Sequence, residues 1–258
     1  MEKAWLGPYI VDEALPKSLY RLRNPSSATV LWKLYNGSLL KVYIARDQCE
    51  SEQSRNQVNT QKWRHFGNVQ LTIGDKNILE SADQWLSDRH INAAQAMIKR
   101  QYPATVGLYD TLLGPEYMHV ASSAEIVAQI HHVSGNHWIA STALGGSVVV
   151  YDSMQFRLTQ DLQTRLLALY GHLRTDAGIP VTVAPCQKQE GSDDCGLFAI
   201  AFVIDIVLGV APETKVYDQT AMRAHLLTCF EFEILSEFPG EEVNSKKEAR
   251  DEFYICLP

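Results

Sequence analysis

The chain has 258 residues, of which 46% are hydrophobic, and its formal net charge is −7. This length allows one large domain, or a domain with an extension, and the apolar share is enough to fill a core. Nucleic acid and membranes are disfavoured as partners, because the densest basic cluster (Lys246, Lys247 and Arg250) is interleaved with acids. Apolar runs also stay shorter than a membrane span.

The five cysteines are odd in number and scattered along the chain. This pattern is typical of free thiols in a reducing compartment, so we expect an intracellular protein of the nucleus or cytoplasm. No close Cys/His pairing has zinc-finger spacing, and the adjacent His131 and His132 would point to opposite faces of a strand. We therefore expect no metal and no other cofactor.

The first part of the chain is predicted to be β-rich. Asn36-Gly37 suits a tight turn between strands at 30–35 and 39–45, which would form a hairpin. Residues 47–62 are polar and predict a linker or mobile loop. These patterns divide the chain into three parts: a β-rich N-terminal extension with its polar linker at 1–62, a main domain at 63–240 and a charged C-terminal tail at 241–258.

The main domain shows alternating helix and strand signals. A helix is predicted at 86–100, where Ser87 or Asp88 can cap the start. Three segments rich in branched residues predict strands, and the last two flank Gly145-Gly146 as a hairpin; they are 125–133, 137–144 and 147–151.

Further elements follow towards the C-terminus. Thr159 can cap a helix, residues 181–184 predict a short strand, an apolar helix is expected from Cys195 to Leu208, and Asp218 can cap a last helix. This order predicts an α+β fold, with a small mixed sheet packed by helices.

Cys195 combines several features of a nucleophile. It follows a polar, glycine-containing loop and opens an apolar helix. The first turn of a helix presents unpaired N–H groups and the positive end of the dipole, and both favour the thiolate. Gly196, next to it, permits close backbone approach. A core cysteine at a helix start is the ordinary alternative.

His137 and Asp152 are candidate partners of this thiol. His137 begins one predicted strand, and Asp152 ends the next strand of the same hairpin, so both can reach one end of the sheet. An imidazole can pair with the thiol, and a carboxylate can orient the imidazole. Gln189, six positions before Cys195, can donate to an oxyanion, and Gln187 is an alternative donor. Singly, each residue also suits an ordinary structural role.

Taken together, these motifs resemble the SUMO-protease family of clan CE cysteine proteases. The matching segments are His-Trp at 137–138, Tyr-Asp-Ser-Met at 151–154 and Gln-x-x-x-x-Asp-Cys-Gly at 189–196, in the family's chain order. The resemblance runs from about residue 85 to 238. It implies the clan CE fold, with His137, Asp152, Gln189 and Cys195 as the catalytic residues.

The resemblance also implies a binding site for the substrate. Trp85 and Trp138 match the family's tryptophans that close a tunnel over a Gly-Gly tail, and Asp88 matches an aspartate that helps to hold the modifier. The implied activity is cleavage after the Gly-Gly tail of ubiquitin or a ubiquitin-like modifier, by an enzyme we expect to be a monomer. SUMO is the commonest substrate of the family, and ubiquitin stays open.

Two departures and two alternatives stand beside this hypothesis. Gly191 occupies a position where the family often has asparagine, Asp193 is an extra acid, and the first fifty residues match nothing recognisable.

The same triad in this clan also supports acyl transfer, which the two tryptophans argue against. A non-catalytic modifier-binding module is the other alternative, and the presence of all four catalytic residue types argues against it.

Overall fold

The computed structural model describes residues 9–15, 19–23, 30–36, 40, 59–118, 126–133, 137–144, 146–156, 158–243 and 251–255. The chain divides into two compact units, Met1–Gln57 and Val58–Pro258. The division falls inside the polar segment at 47–62, of which residues 47–58 lie outside the described residues. The predicted strand at 39–45 also lies almost wholly outside them.

The first unit contains a three-stranded antiparallel sheet. Its strands are β1 (Ile10–Leu15), β2 (Leu19–Arg23) and β3 (Val30–Asn36), in that spatial order. An ion pair between Arg21 and Glu13, at 3.1 Å, links β2 to β1 across this sheet. The β-rich character predicted for this region agrees with these strands.

The second unit is built around a six-stranded mixed sheet with the order β13-β10-β9-β8-β7-β6. β6 runs parallel to β7 and β9 parallel to β10, and the other neighbours are antiparallel. Two short antiparallel pairs lie outside this sheet: β4 and β5 are close in sequence, whereas residues 218–239 separate β11 from β12. The strands are β4 (Lys62–Phe66), β5 (Val69–Thr72), β6 (Thr105–Gly107), β7 (Ile126–Val133), β8 (His137–Leu144), β9 (Ser147–Tyr151), β10 (Ile179–Val183), β11 (Lys215–Tyr217), β12 (Gly240–Glu242) and β13 (Asp251–Ile255).

Helices cover both faces of this sheet. Among the described residues they include α1 (Ile73–Glu80), α2 (Asp88–Gln101), α3 (Gln160–Leu169), α4 (Cys195–Leu208) and α5 (Gln219–Phe232), with 3₁₀ turns at 115–117, 171–173 and 212–214. Alternate residues of β7 contribute to two separate apolar clusters, because successive side chains of a strand point to opposite faces. α4 packs on one face against β7 and β8, and α3 packs on the other. The predicted α+β architecture is therefore confirmed.

The apolar helix α4 is buried along almost its entire length, as its sequence predicts. Its one acid, Asp205, is also buried, and it accepts a hydrogen bond from the Tyr217 hydroxyl at 2.6 Å and lies 3.4 Å from the Lys215 ammonium. These partners explain how a carboxylate is tolerated in the core. Within the described ranges, no helix has the length and apolar content needed to cross a membrane.

The C-terminal end differs from the charged tail assigned to residues 241–258. Asp251–Ile255 form β13, which pairs antiparallel with β10 at the edge of the main sheet. Phe253 and Ile255 pack into the cluster beneath α3, whereas Tyr254 between them is exposed. This period-two pattern within a charged segment identifies an edge strand with one buried face.

Candidate active site

The hairpin of β8 and β9 brings His137 and Asp152 together. His137 is the first residue of β8, and Asp152 directly follows β9. The imidazole Nε2 lies 2.7 Å from Asp152 Oδ1, and both side chains are only 3% exposed. This buried contact is the imidazole–carboxylate pair that the spacing of the two residues predicts.

A tight turn after β9 holds the Asp152 carboxylate in place. Oδ1 also accepts a hydrogen bond from the Met154 backbone N–H at 2.9 Å, and Oδ2 accepts one from the Phe156 N–H at 2.8 Å. Gln155 adopts a positive φ of 58°, which a non-glycine residue rarely does. The same turn carries the Phe156 ring to 5.2 Å from the His137 ring, in an edge-on contact.

The surroundings of His137 favour its protonated form. Burial lowers its pKa, but hydrogen bonds and charge interactions with Asp152 and Cys195 more than offset burial and raise the pKa to about 9. Cys195 therefore lies close enough to the imidazole ring to affect its pKa. Since Nε2 is bonded to Asp152, Nδ1 is the ring nitrogen left to face the thiol, and it is buried.

Cys195 is the first residue of α4 and is 1% exposed. This position puts the thiol at the positive end of a buried, 14-residue helix, as predicted. A Cβ added at Gly196 would lie 3.0 Å from Leu86 Cβ and 3.2 Å from Trp138 Cδ1. A larger residue here would have to displace Leu86 or Trp138 by a few tenths of an ångström, because both side chains pack directly against the start of the helix.

The loop before Cys195 is anchored to α5. Asp194, the residue before the thiol, accepts from Arg223 Nη2 at 2.7 Å and from Gln219 Nε2 at 2.7 Å. Gln219 also bonds both backbone polar groups of Glu190. These contacts hold the loop in place. They also give the Asp194 carboxylate a cationic partner and a hydrogen-bond donor, so that its charge is not left unpaired beside Cys195. Sequence reasoning missed Gln219 and Arg223, because their partners lie about 25 residues or more upstream.

The structure distinguishes the two candidate glutamines. Gln187 bridges to β11, since its amide donates to the Tyr217 carbonyl at 3.2 Å and accepts from the Tyr217 N–H at 2.6 Å. Gln189 instead bonds Ser153 and the Gly191 carbonyl in the loop that leads to Cys195. The Gln187 amide is thus engaged with β11, whereas the Gln189 amide, which is 5% exposed, lies in the loop that leads to Cys195.

Next to the start of α4 is a cleft of about 320 Å³. Trp138 is 4% exposed and donates from Nε1 to the Leu86 carbonyl at 3.0 Å. Trp85 is 46% exposed, and its Nε1 lies 3.2 Å from the Ser192 carbonyl. Both tryptophans named by the resemblance thus line one cleft, whose lining residues are Trp85, Leu86, Ser87, Asp88, Leu112, His132 and Trp138.

Asp88 lies on the wall of this cleft, at the first turn of α2, and Ser87 is the N-cap. Among the described residues, the Asp88 carboxylate has no hydrogen-bond or ion-pair partner. Sequence reasoning missed two other lining residues, Leu112 and His132. The His132 ring packs against Trp138 at a tilt of 42° with ring centroids 4.6 Å apart, whereas the adjacent His131 is buried on the other face of β7, as its strand position predicts. Within the described ranges, no group of three or more His, Cys, Asp or Glu side chains is arranged to hold a metal ion.

Comparison with solved structures finds this fold in the SUMO protease Ulp1, in a structure whose catalytic cysteine is oxidized to a sulfenic acid. The TM-score is 0.55 at 14% identity, over 74% of this chain and 97% of that chain. The C-terminal Ulp1 protease domain in complex with SMT3, the yeast orthologue of SUMO, gives a TM-score of 0.52 at 14% identity, with the same coverage of 74% and 97%. Comparisons with protein-family models and with curated proteins find no match. The protein has the clan CE fold of the Ulp1-like SUMO proteases, as its motifs predict.

Proposed function

We propose that the protein is a cysteine protease that cleaves the bond after the Gly-Gly tail of ubiquitin or a ubiquitin-like modifier. The observation that supports this most strongly is the buried His137–Asp152 pair beside Cys195, which opens a helix next to a cleft between two indoles. The fold shared with SUMO proteases adds support. Clefts of this kind, with a nucleophile, a base and an oxyanion donor together, carry out acyl transfer to water.

The reaction starts at the Cys195 sulfur. The thiolate attacks the carbonyl carbon of the terminal glycine, and the carbonyl oxygen becomes an oxyanion. His137, whose pKa is raised to about 9, holds a proton at neutral pH and gives it to the leaving amine nitrogen as the C–N bond breaks. Water then attacks the resulting thioester and passes a proton to His137, so that the carboxylate product leaves and the thiolate is restored.

Two groups suit the oxyanion. The backbone N–H of Cys195 belongs to the first turn of α4, where N–H groups lack intrahelical acceptors. The Gln189 amide lies in the loop just before it. Donors of this kind are worth about 10²–10³-fold in rate each, because they bind charge that develops only in the transition state.

The cleft between Trp85 and Trp138 accounts for a preference for glycine. Flat indoles leave room for backbone but not for a Cβ, and overpacking a close-packed slot by a methyl group costs about 1–3 kcal/mol. Beyond the slot, Leu112 is 72% exposed, and the Asp88 carboxylate lies on the cleft wall. We assign these two residues to contacts with the folded body of the modifier.

SUMO is the first modifier to test, because a protease domain of the same fold is known in complex with SMT3. Ubiquitin is the second, because the net charge of −7 complements its basic face. The decisive assay measures release of a fluorophore from the C-terminus of each modifier.

We expect turnover of at least one of these substrates by the wild type, and none by Cys195→Ala, which should still bind the modifier. Cys229→Ala, in a buried cysteine on α5, is the matched control and should keep its activity. Turnover by Cys195→Ala within tenfold of the wild type would contradict the proposed function, since covalent catalysis requires its nucleophile.

A further inference from the structure

Ser153 makes two contacts that the reaction described above does not use. It directly follows Asp152 and is 1% exposed. Its hydroxyl oxygen lies 2.7 Å from Gln189 Oε1, and its backbone carbonyl accepts from the Gln189 backbone N–H at 2.9 Å. One residue therefore contacts the side chain and the backbone of the candidate oxyanion donor.

The hydrogen-bond pattern determines how the Gln189 amide is turned. The other polar neighbour of this amide is the Gly191 carbonyl, 3.3 Å from Nε2. A carbonyl oxygen can only accept, so the NH₂ group must be the part that faces Gly191. Oε1 then faces Ser153, and the serine hydroxyl must be the donor of the 2.7 Å hydrogen bond.

This orientation matters because the two ends of an amide have opposite effects on an oxyanion. The NH₂ group stabilises the negative charge, whereas a reversed amide would present its carbonyl oxygen and repel it. We propose that Ser153 is a positioning residue, which holds Oε1 of Gln189 so that an N–H of the amide stays available to the oxyanion. The inference rests on the proposed protease function, and it gives the turn at 152–153 two roles. Asp152 orients the imidazole, and Ser153 orients the oxyanion donor.

The test compares steady-state hydrolysis of a fluorogenic modifier by single and double variants. Ser153→Ala should lower kcat about tenfold and leave KM unchanged, since one ordinary hydrogen bond that orients the amide is lost. Ser153→Thr, which keeps a hydroxyl, should recover most of this loss. Gln189→Ala should lower kcat about 10²-fold, and the double variant should be no slower than Gln189→Ala alone. Gln187→Ala is the matched glutamine control and should keep the wild-type kcat once its folded fraction is measured.

A second readout separates this role from an effect on the neighbouring triad. Iodoacetamide alkylates a thiolate without forming an oxyanion, so its rate with Cys195 should be unchanged in Ser153→Ala but altered in Asp152→Asn. A parallel loss of alkylation and turnover in Ser153→Ala would overturn the inference, because Ser153 would then act through Asp152. Ser153→Cys, which is close in shape but a weaker donor, replaces the alanine variant if that variant does not fold.

Turnover of the modifier substrates by the wild type distinguishes a failure of this inference from a failure of the proposed function. Wild-type turnover together with an unimpaired Ser153→Ala would overturn the inference alone, as would an additive loss in the double variant. An absence of wild-type turnover on every modifier would contradict the proposed function, and the inference would fall with it.

Discussion

At the residue scale, the proposed chemistry depends on the charge of a buried imidazole. His137 is nearly inaccessible to water, yet its pKa is raised, because the attraction of Asp152 and Cys195 exceeds the cost of burial. Asp152 can exert this effect steadily, since the turn after β9 supplies backbone donors to both carboxylate oxygens. A histidine in this state is charged at neutral pH and can act as the acid towards a leaving amine.

This charge state predicts the pH dependence of kcat/KM. We expect wild-type activity to persist through neutral pH and to fall as the pH rises through about 9, when His137 loses the proton needed by the leaving group. Asp152→Asn removes a carboxylate that raises the pKa of His137, so the fall should begin at a lower pH. Asp161→Asn, in an exposed acid paired with Arg165, is the matched control and should keep the wild-type profile. An unchanged profile for Asp152→Asn would refute the role of this carboxylate.

The sequence pointed to the candidate triad because each member lies at the end of a strongly patterned element. Ser153 and Phe156 could not be assigned in this way. Their contacts depend on a turn with a positive φ at Gln155 and on which way the Gln189 amide faces. Neither the backbone conformation of this turn nor the orientation of the amide can be predicted from composition or residue spacing.

At the scale of elements, the segment leading into α2 and strand β8 form the two sides of the cleft. Trp85 lies on the first and is half-exposed, whereas Trp138 lies on the second and is buried. The indole of Trp138 is hydrogen-bonded to the Leu86 backbone, so it also joins the two elements. The two tryptophans are therefore not equivalent, although the motif treats them alike.

Trp85→Ala should weaken the preference for Gly-Gly over Ala-Gly substrates, with little loss of stability, because much of the side chain is already in water. Trp138→Ala should weaken the same preference and also destabilise the fold by about 3–5 kcal/mol, since it empties a packed site. Melting temperature and the Gly-Gly to Ala-Gly ratio of kcat/KM are measured on the same samples. A Gly-Gly preference as sharp as that of the wild type in both variants would mean that neither indole contacts the tail.

Long or strongly patterned elements could be predicted, but several short ones were missed. α2, α4 and the strands β7 to β9 begin and end within about two residues of their predicted bounds, and α5 begins directly after its predicted cap, Asp218. The sequence reading missed β4, β5 and α1, which are only four to eight residues long, although a capping box of Thr72 and Asp75 marks the start of α1. β13 was also missed, because its two inward-facing apolar residues, Phe253 and Ile255, lie within a mostly charged segment.

At the scale of the whole molecule, the second unit gathers distant segments into one site. Residues between 85 and 223 contribute, and His137 and Asp152 come from the mixed sheet, whereas Gln189 and Cys195 come from a loop and the helix that follows it. α4 is buried on the sheet and fixes the thiol, while α5 holds the preceding loop through Arg223 and Gln219. These contacts would hold the four proposed catalytic side chains in fixed positions, which the proposed catalysis requires.

The most direct test of the central claim is covalent capture of the nucleophile. Wild-type protein is mixed with SUMO or ubiquitin whose C-terminal glycine is replaced by an electrophile, and the adduct is mapped by mass spectrometry. We predict one modifier per chain, bonded to Cys195, with no adduct in Cys195→Ala and a greatly slowed reaction in His137→Ala. Capture on another cysteine, or binding of the modifier without any covalent adduct, would contradict the account.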